Sequence, residues 1–112
     1  MENDVKQKLD ELITLIKSSE LYPKYQSSKS NIAENEETTL LLNTYKNLSS
    51  KLQKRAIEGL EPDDEDVKKF TSFSLLAFDN EDIVNYISSE IAIQNQLSEI
   101  IRYICKELDI EL

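Results

Sequence analysis

The sequence has few of the residues that catalytic and ligand sites most often require. Its 112 residues include no histidine, one glycine and one cysteine. Without histidine there is no imidazole for general acid–base catalysis, for activating a serine or cysteine nucleophile, or for binding transition metals. A single glycine excludes phosphate-binding loops and dinucleotide fingerprints, which need several glycines. One cysteine cannot form an intramolecular disulfide. We therefore expect no enzyme activity, no metal and no cofactor.

Long apolar runs and basic clusters are also missing. The longest apolar stretches, such as residues 40–42 and 74–78, are far shorter than the roughly 20 residues that span a bilayer. The N-terminal segment lacks the basic and then apolar pattern of a secretion signal. With 22 acidic and 13 basic side chains, the net charge is −9, which repels phosphate backbones. We expect a cytoplasmic protein that binds neither membranes nor nucleic acid directly.

Scarce glycine and proline, together with helical periodicity, predict an all-α fold. We expect a single domain over residues 1–112, a small bundle of about five helices with a long C-terminal helix. Asn35 and Asn80 are expected to cap helices, and Gly59 is expected to follow a helix end. Pro23 leaves the start of the second helix open between residue 20 and Pro23 itself. The predicted helices are Asn3–Lys17, residues 20–34, residues 36–58, residues 63 or 64 to 78, and Glu81–Leu108.

The last helix has more apolar surface than one helix neighbour can cover. Its apolar residues form two adjacent rows that span an arc of roughly 200°, wider than the stripe a surface helix needs. This helix is therefore expected to lie at the centre of the bundle, or to pack on the bundle with one row and on a second chain with the other. The rows are Val84, Ile87, Ile91, Ile101, Cys105 and Leu108, and Tyr86, Ile93, Leu97, Ile100 and Ile104.

A polar row interrupts this apolar arc. Glu90, Gln94 and Ser98 recur every four residues between the apolar rows. A buried carboxylate needs a partner, so Glu90 is expected to have one. The row is either a polar seam that fixes helix register or dimer geometry, as polar residues do in coiled coils, or a groove that accepts another protein's helix. The residues predicted for a partner or oligomer interface are Tyr86, Glu90, Gln94, Leu97, Ser98 and Ile101.

The acidic residues 63–66 permit a competing hypothesis. A divalent-ion-dependent factor or a small enzyme could use these acids together with Glu90. The spacing does not fit an EF-hand loop, which alternates its ligands and needs a glycine. Acids at the start of a helix also interact favourably with its dipole and keep a loop solvated. A third possibility is a purely structural helical bundle with no regulatory role.

The order of these signals resembles the YlbF/YmcA family of small bacterial regulators. The motifs follow the chain from an S-x-x-Y-x-x-Y step, through an I-x-x-N-x-E junction and an L-x-x-Y third helix, to the opening of the long helix. The residues that carry the resemblance are Ser19, Tyr22 and Tyr25; Ile32, Asn35 and Glu37; Leu41 or Leu42 with Tyr45; and Asp82, Ile83, Tyr86 and Glu90.

The resemblance implies an all-helical, non-catalytic and usually oligomeric cytoplasmic protein. Family members associate with each other and with a further protein, and they influence ribonuclease Y-dependent messenger RNA processing, competence, sporulation and biofilm formation. The implied partners are a second copy of the chain, most simply in a dimer, paralogous helical regulators and ribonuclease Y-associated proteins. Longer members carry a cysteine-containing tail associated with an iron–sulfur cluster. This sequence ends at Leu112, so we expect no cluster.

Overall fold

The computed structural model describes all 112 residues and contains five α-helices and no strand. This confirms the predicted all-α class, the number of helices and the long last helix. The helices are α1 (Asn3–Lys17), α2 (Leu21–Ala33), α3 (Glu36–Ile57), α4 (Asp64–Phe78) and α5 (Glu81–Leu108).

Side-chain caps and a left-handed residue define the helix ends that the sequence predicted. The Asn35 side chain accepts a hydrogen bond from the Thr38 amide at 3.0 Å at the start of α3. The Asn80 side chain accepts one from the Ile83 amide at 3.1 Å at the start of α5. Gly59 follows α3 with φ of 75°, a conformation that favours glycine because it has no Cβ.

The start of α2 falls between the two positions that the sequence left open. The helix begins at Leu21, so Pro23 lies in its first turn. Amides in the first turn have no acceptor within the helix, and the missing N–H of proline therefore costs little there.

The chain divides into two compact units. Unit 1 consists of Met1–Ser27 and Ile87–Leu112, and unit 2 is Ser28–Tyr86. Helices α2 and α5 each contribute residues to both units. The expected single domain over residues 1–112 stays a prediction.

Unit 2 has a hydrophobic core of its own, in which α3 packs against α4. The ring of Tyr45 stacks on Phe70, with centroids 5.5 Å apart, and meets the edge of Phe78 at 5.7 Å. Ile83 has no exposed surface. Tyr86 is also buried, and the Lys46 Nζ lies 4.8 Å from its ring centroid. Because buried apolar area is the main favourable term in folding, these contacts stabilise the unit.

Polar contacts also hold the connection between α3 and α4. Arg55 donates two hydrogen bonds, at 2.9 and 2.7 Å, to the backbone carbonyl of Glu61 in the connecting loop. Lys51 on α3 lies 2.9 Å from the buried Asp66 on α4. The two helices are therefore joined by charged contacts as well as by their apolar faces.

Unit 1 contains no buried residue, since every buried side chain falls within Ser28–Tyr86. The apolar residues of α1 are only partly covered: Leu9, Leu12 and Ile16 are half-buried. Val5 and Ile13 remain about half exposed. The apolar side of α1 is therefore only partly shielded from solvent.

Candidate interaction surface on the last helix

The six residues predicted for a partner interface do not all belong to the same unit. Tyr86 belongs to unit 2, where it is buried and its hydroxyl accepts a hydrogen bond from Lys46 at 3.4 Å. The other five belong to unit 1. Glu90 is half-buried and engaged in a polar or electrostatic interaction, which agrees with the partner expected for it. The remaining four, Gln94, Leu97, Ser98 and Ile101, are exposed.

Much of the apolar arc of α5 is exposed within unit 1. In the first row, Ile91 is 50% exposed, Ile101 is 49% exposed and Leu108 is 62% exposed. Ile87 and Cys105 in that row are half-buried. In the second row, Ile93 and Ile100 are half-buried, whereas Leu97 and Ile104 are exposed. With Val84 also half-buried, three of the six residues of the first row are exposed.

The C-terminal segment turns back beside this face. Asp109 has φ of 54°, and the Ile110 amide donates a hydrogen bond to the Cys105 carbonyl at 2.9 Å. The α5 face and this segment line an open hollow of about 620 Å³. A hollow of this size can accept apolar side chains from another molecule. Its lining residues include Ser98, Ile101, Arg102, Cys105, Ile110 and Leu112.

A second depression in unit 1 lies between α1 and α5. Leu12 of α1 and Ile100, Tyr103 and Ile104 of α5 line a space of about 460 Å³. Tyr103 is 66% exposed, so this depression is also open. Apolar side chains with wide solvent exposure at two neighbouring positions are typical of protein interaction surfaces.

The acidic residues at the start of α4 have structural roles. The Asp63 carboxylate accepts hydrogen bonds from the amides of Glu65 and Asp66, at 2.9 and 3.4 Å. Asp66 is paired with Lys51. Nowhere in the chain do three or more His, Cys, Asp or Glu side chains form a group that could hold a metal ion. The acids act here as a helix cap and as part of an ion pair, which is the role that their position in the sequence also permits.

One exposed surface was missed by the sequence reasoning. On α4, Phe78 is 54% exposed and Leu75 is 71% exposed. Together with Phe70 and Ser74 they line a hollow of about 520 Å³ in unit 2. The four-residue and three-residue spacings of this face were visible in the sequence, but periodicity alone does not reveal which apolar face is left uncovered.

None of the five helices combines the length and hydropathy that would let it cross a membrane. The exposed face of α5 combines apolar side chains such as Ile91 and Ile101 with polar ones such as Gln94 and Arg102, a composition that is typical of protein interaction surfaces.

Comparisons with known proteins identify the class of protein. Residues 5–109 match the model of the family described as "Control of competence regulator ComK, YlbF/YmcA". This match covers nearly the whole chain, so the chain belongs to the YlbF/YmcA family of regulatory helical proteins. The resemblance inferred from the sequence is thereby confirmed.

Two individual proteins are similar to this chain. A UPF0342 protein of Caldicellulosiruptor saccharolyticus is 24% identical over 101 residues, which are 90% of this chain and 84% of that protein. A solved structure of a protein of unknown function (DUF964) from Bacillus stearothermophilus superposes with a TM-score of 0.77. It covers 96% of this chain and 94% of its own, at 14% identity. The structural similarity supports the fold.

Proposed function

We propose that this protein is a non-catalytic cytoplasmic adaptor that self-associates as a dimer and contacts further proteins. Its proposed role is in ribonuclease Y-dependent messenger RNA processing, and through it in competence, sporulation or biofilm formation. Membership of a regulator family supports the regulatory part of the proposal. The proposed partners are paralogous helical regulators and ribonuclease Y-associated proteins.

The observation that carries the adaptor mechanism is the exposed apolar face of α5 in unit 1. Ile91 and Ile101 are each about half exposed on it. Exposed apolar side chains at helical spacing lose contact with water when a second helix covers them, which provides a driving force for association.

The charge of the protein limits its partners. The chain has a net charge of −9. A further protein partner is therefore expected to present a neutral or basic surface, because repulsion between like charges slows encounter and weakens binding. The exposed α4 surface around Leu75 and Phe78 provides a second apolar area, so that self-association and partner binding need not compete for the same residues.

The test combines a measurement on the purified protein with one in cells. An Ile91→Asp, Ile101→Asp double variant places charges on the α5 face, and Leu40→Asp is a control at a residue of α3 that is 68% exposed. Light scattering is expected to give a dimer for wild type and the control and a monomer for the double variant. In a strain that lacks the gene, mapping of transcript 5′ ends is expected to find processing restored by wild type and the control only.

Separate outcomes contradict separate parts of the proposal. A monomeric wild type would contradict self-association. If loss of the gene leaves ribonuclease Y-dependent transcript ends unchanged, the proposed pathway is wrong. If the double variant is folded and monomeric but restores processing fully, the α5 face is not needed for function.

A further inference from the structure

The exposed face of α5 carries a seven-residue repeat. Successive positions along it are separated by four, three, four, three and four residues, which is the spacing of a helix that pairs with another along its length. We call these positions the α5 seam. They are Ile87, Ile91, Gln94, Ser98, Ile101 and Cys105.

We propose that two copies of the chain pair antiparallel along this seam, with Gln94 of one copy facing Ser98 of the other. This inference rests on the self-association proposed above and specifies its direction and register. In this register, Ile91 faces Ile101 of the partner and Ile87 faces Cys105 of the partner. Each seam residue then meets another residue of the seam, and the pattern closes on itself by two-fold symmetry.

Side-chain volume favours the antiparallel direction. In a parallel, in-register pair, Ser98 would face Ser98 and Cys105 would face Cys105, leaving voids, while two Gln94 side chains would crowd the layer between them. The antiparallel register pairs the small Ser98 with the larger Gln94 and the small Cys105 with Ile87. Interiors are close-packed, so layers of even volume are more stable than alternating voids and crowded layers.

Hydrogen bonding favours the same register. A glutamine amide can both donate and accept, and a serine hydroxyl can also do both. Facing each other, Gln94 and Ser98 can satisfy both groups as water is removed. Since a two-fold axis relates the two copies, the contact between Gln94 and Ser98 occurs twice, at the centre of the interface. Pairing either polar residue with an isoleucine would leave a buried polar group without a partner.

Charge and area are compatible with a second copy as the occupant. All six seam residues are uncharged, so the seam positions themselves bring no like charges together when two acidic chains meet. The seam runs for about 27 Å along the helix axis, and Leu97 and Ile104 extend its apolar area beside it.

The position of the hollow beside the seam also fits a second copy of the chain. It is lined by Ser98, Ile101 and Cys105, which form the C-terminal half of the seam. In the antiparallel register, the residues that enter it are Gln94, Ile91 and Ile87 of the second copy. The N-terminal half of one seam thus fills the hollow of the other.

The native cysteine makes the register testable. In the proposed pair, Cys105 faces Ile87 of the partner and lies about 27 Å along the axis from the partner's Cys105. The variant Ile87→Cys is expected to form covalent dimers as its major product in a glutathione redox buffer. Wild type and Ser88→Cys, a control at the next residue, are expected to stay largely uncrosslinked. Adding Cys105→Ser to Ile87→Cys is expected to abolish the product.

A second measurement keeps the native seam intact. A nitroxide spin label attached to Cys105 of wild type allows the distance between the two labels to be measured by pulsed electron resonance. The expected distance is about 27 Å or more, because the two labels lie at opposite ends of the seam. Labels in close proximity, or a Cys105–Cys105 disulfide in wild type, would mean a parallel pair and would overturn the proposal.

The outcomes distinguish the register from the proposed function. If light scattering gives a dimer but Ile87→Cys forms no covalent product and the labels do not have the expected separation, the register is wrong and self-association stands. If wild type is a monomer at every concentration tested, both fail. If the register is found as proposed but messenger RNA processing is unaffected, only the regulatory pathway fails.

Discussion

The two units of this chain differ in how much of their apolar surface is buried. Unit 2 contains every buried residue of the molecule, together with the aromatic contacts of Tyr45 and the ion pair of Asp66. Unit 1 has similar apolar residues at helical spacing but buries none of them fully. Apolar periodicity thus specifies a helix face, whereas a core exists only where the chain itself supplies the covering residues.

The largest change in the free energy of unfolding is expected from a substitution in the core of unit 2. Ile83→Ala removes a side chain with no exposed surface, so it should lower the free energy of unfolding by about 2–5 kcal/mol, through lost burial and the cavity left behind. Urea denaturation followed by circular dichroism measures this. The matched control is Ile101→Ala on the exposed α5 face.

Repeating this measurement at several protein concentrations distinguishes the two variants. The effect of Ile83→Ala should be present at every concentration, because its contacts lie within one chain. The effect of Ile101→Ala should be small in dilute solution and grow as chains associate. Equal and concentration-independent losses for the two variants would contradict the distinction between the units.

An intermediate effect is expected from ion pairs in the two units. Lys51→Met leaves the Asp66 carboxylate, which is 12% exposed, without its partner, so we expect a loss of about 1–3 kcal/mol. The control is Lys8→Met on α1, where the Lys8–Glu11 pair is 3.4 Å long and both side chains are mostly exposed. A surface pair of this kind is worth only about 0–1 kcal/mol. Thermal unfolding at low salt compares them, and equal losses would contradict the assignment.

The smallest effects are expected at two helix ends. Gly59 and Asp109 both have positive φ, at the ends of α3 and α5. A Cβ at position 59 would meet no atom within 4 Å, so the expected loss of about 1 kcal/mol for Gly59→Ala reflects backbone strain alone. Asp109→Gly should instead raise stability by about 0.5 kcal/mol or less. Chemical denaturation of both variants tests this, and a stabilising Gly59→Ala would contradict it.

Local signals explain why the helix boundaries were predictable. Asn35, Asn80 and Gly59 act within one turn of their own positions, through hydrogen bonds to nearby amides or through a backbone conformation. Such interactions depend on neighbouring residues in the sequence and not on contacts with distant parts of the chain.

Core membership was less predictable because it depends on distant contacts. Ile83 was not assigned to either apolar row, although it lies three residues before Tyr86 and therefore on the same helix face. Ile91 and Ile101 were placed in an apolar row, but the sequence could not say whether this chain or another covers them. The candidate site was thus located by pattern, while the exposure that makes it a candidate required the structure.

The short connection between α3 and α4 has a consequence for the order in which the molecule is assembled. These two helices are consecutive, and Arg55 holds the loop between them through the Glu61 carbonyl. Closing so short a loop has a low entropic cost, and contacts between neighbouring segments form quickly. The proposed pairing along α5 would instead require two chains to diffuse together. In kinetic terms, we expect unit 2 to fold in a fast first-order step, and the proposed pairing along α5 to follow in a step whose rate depends on protein concentration.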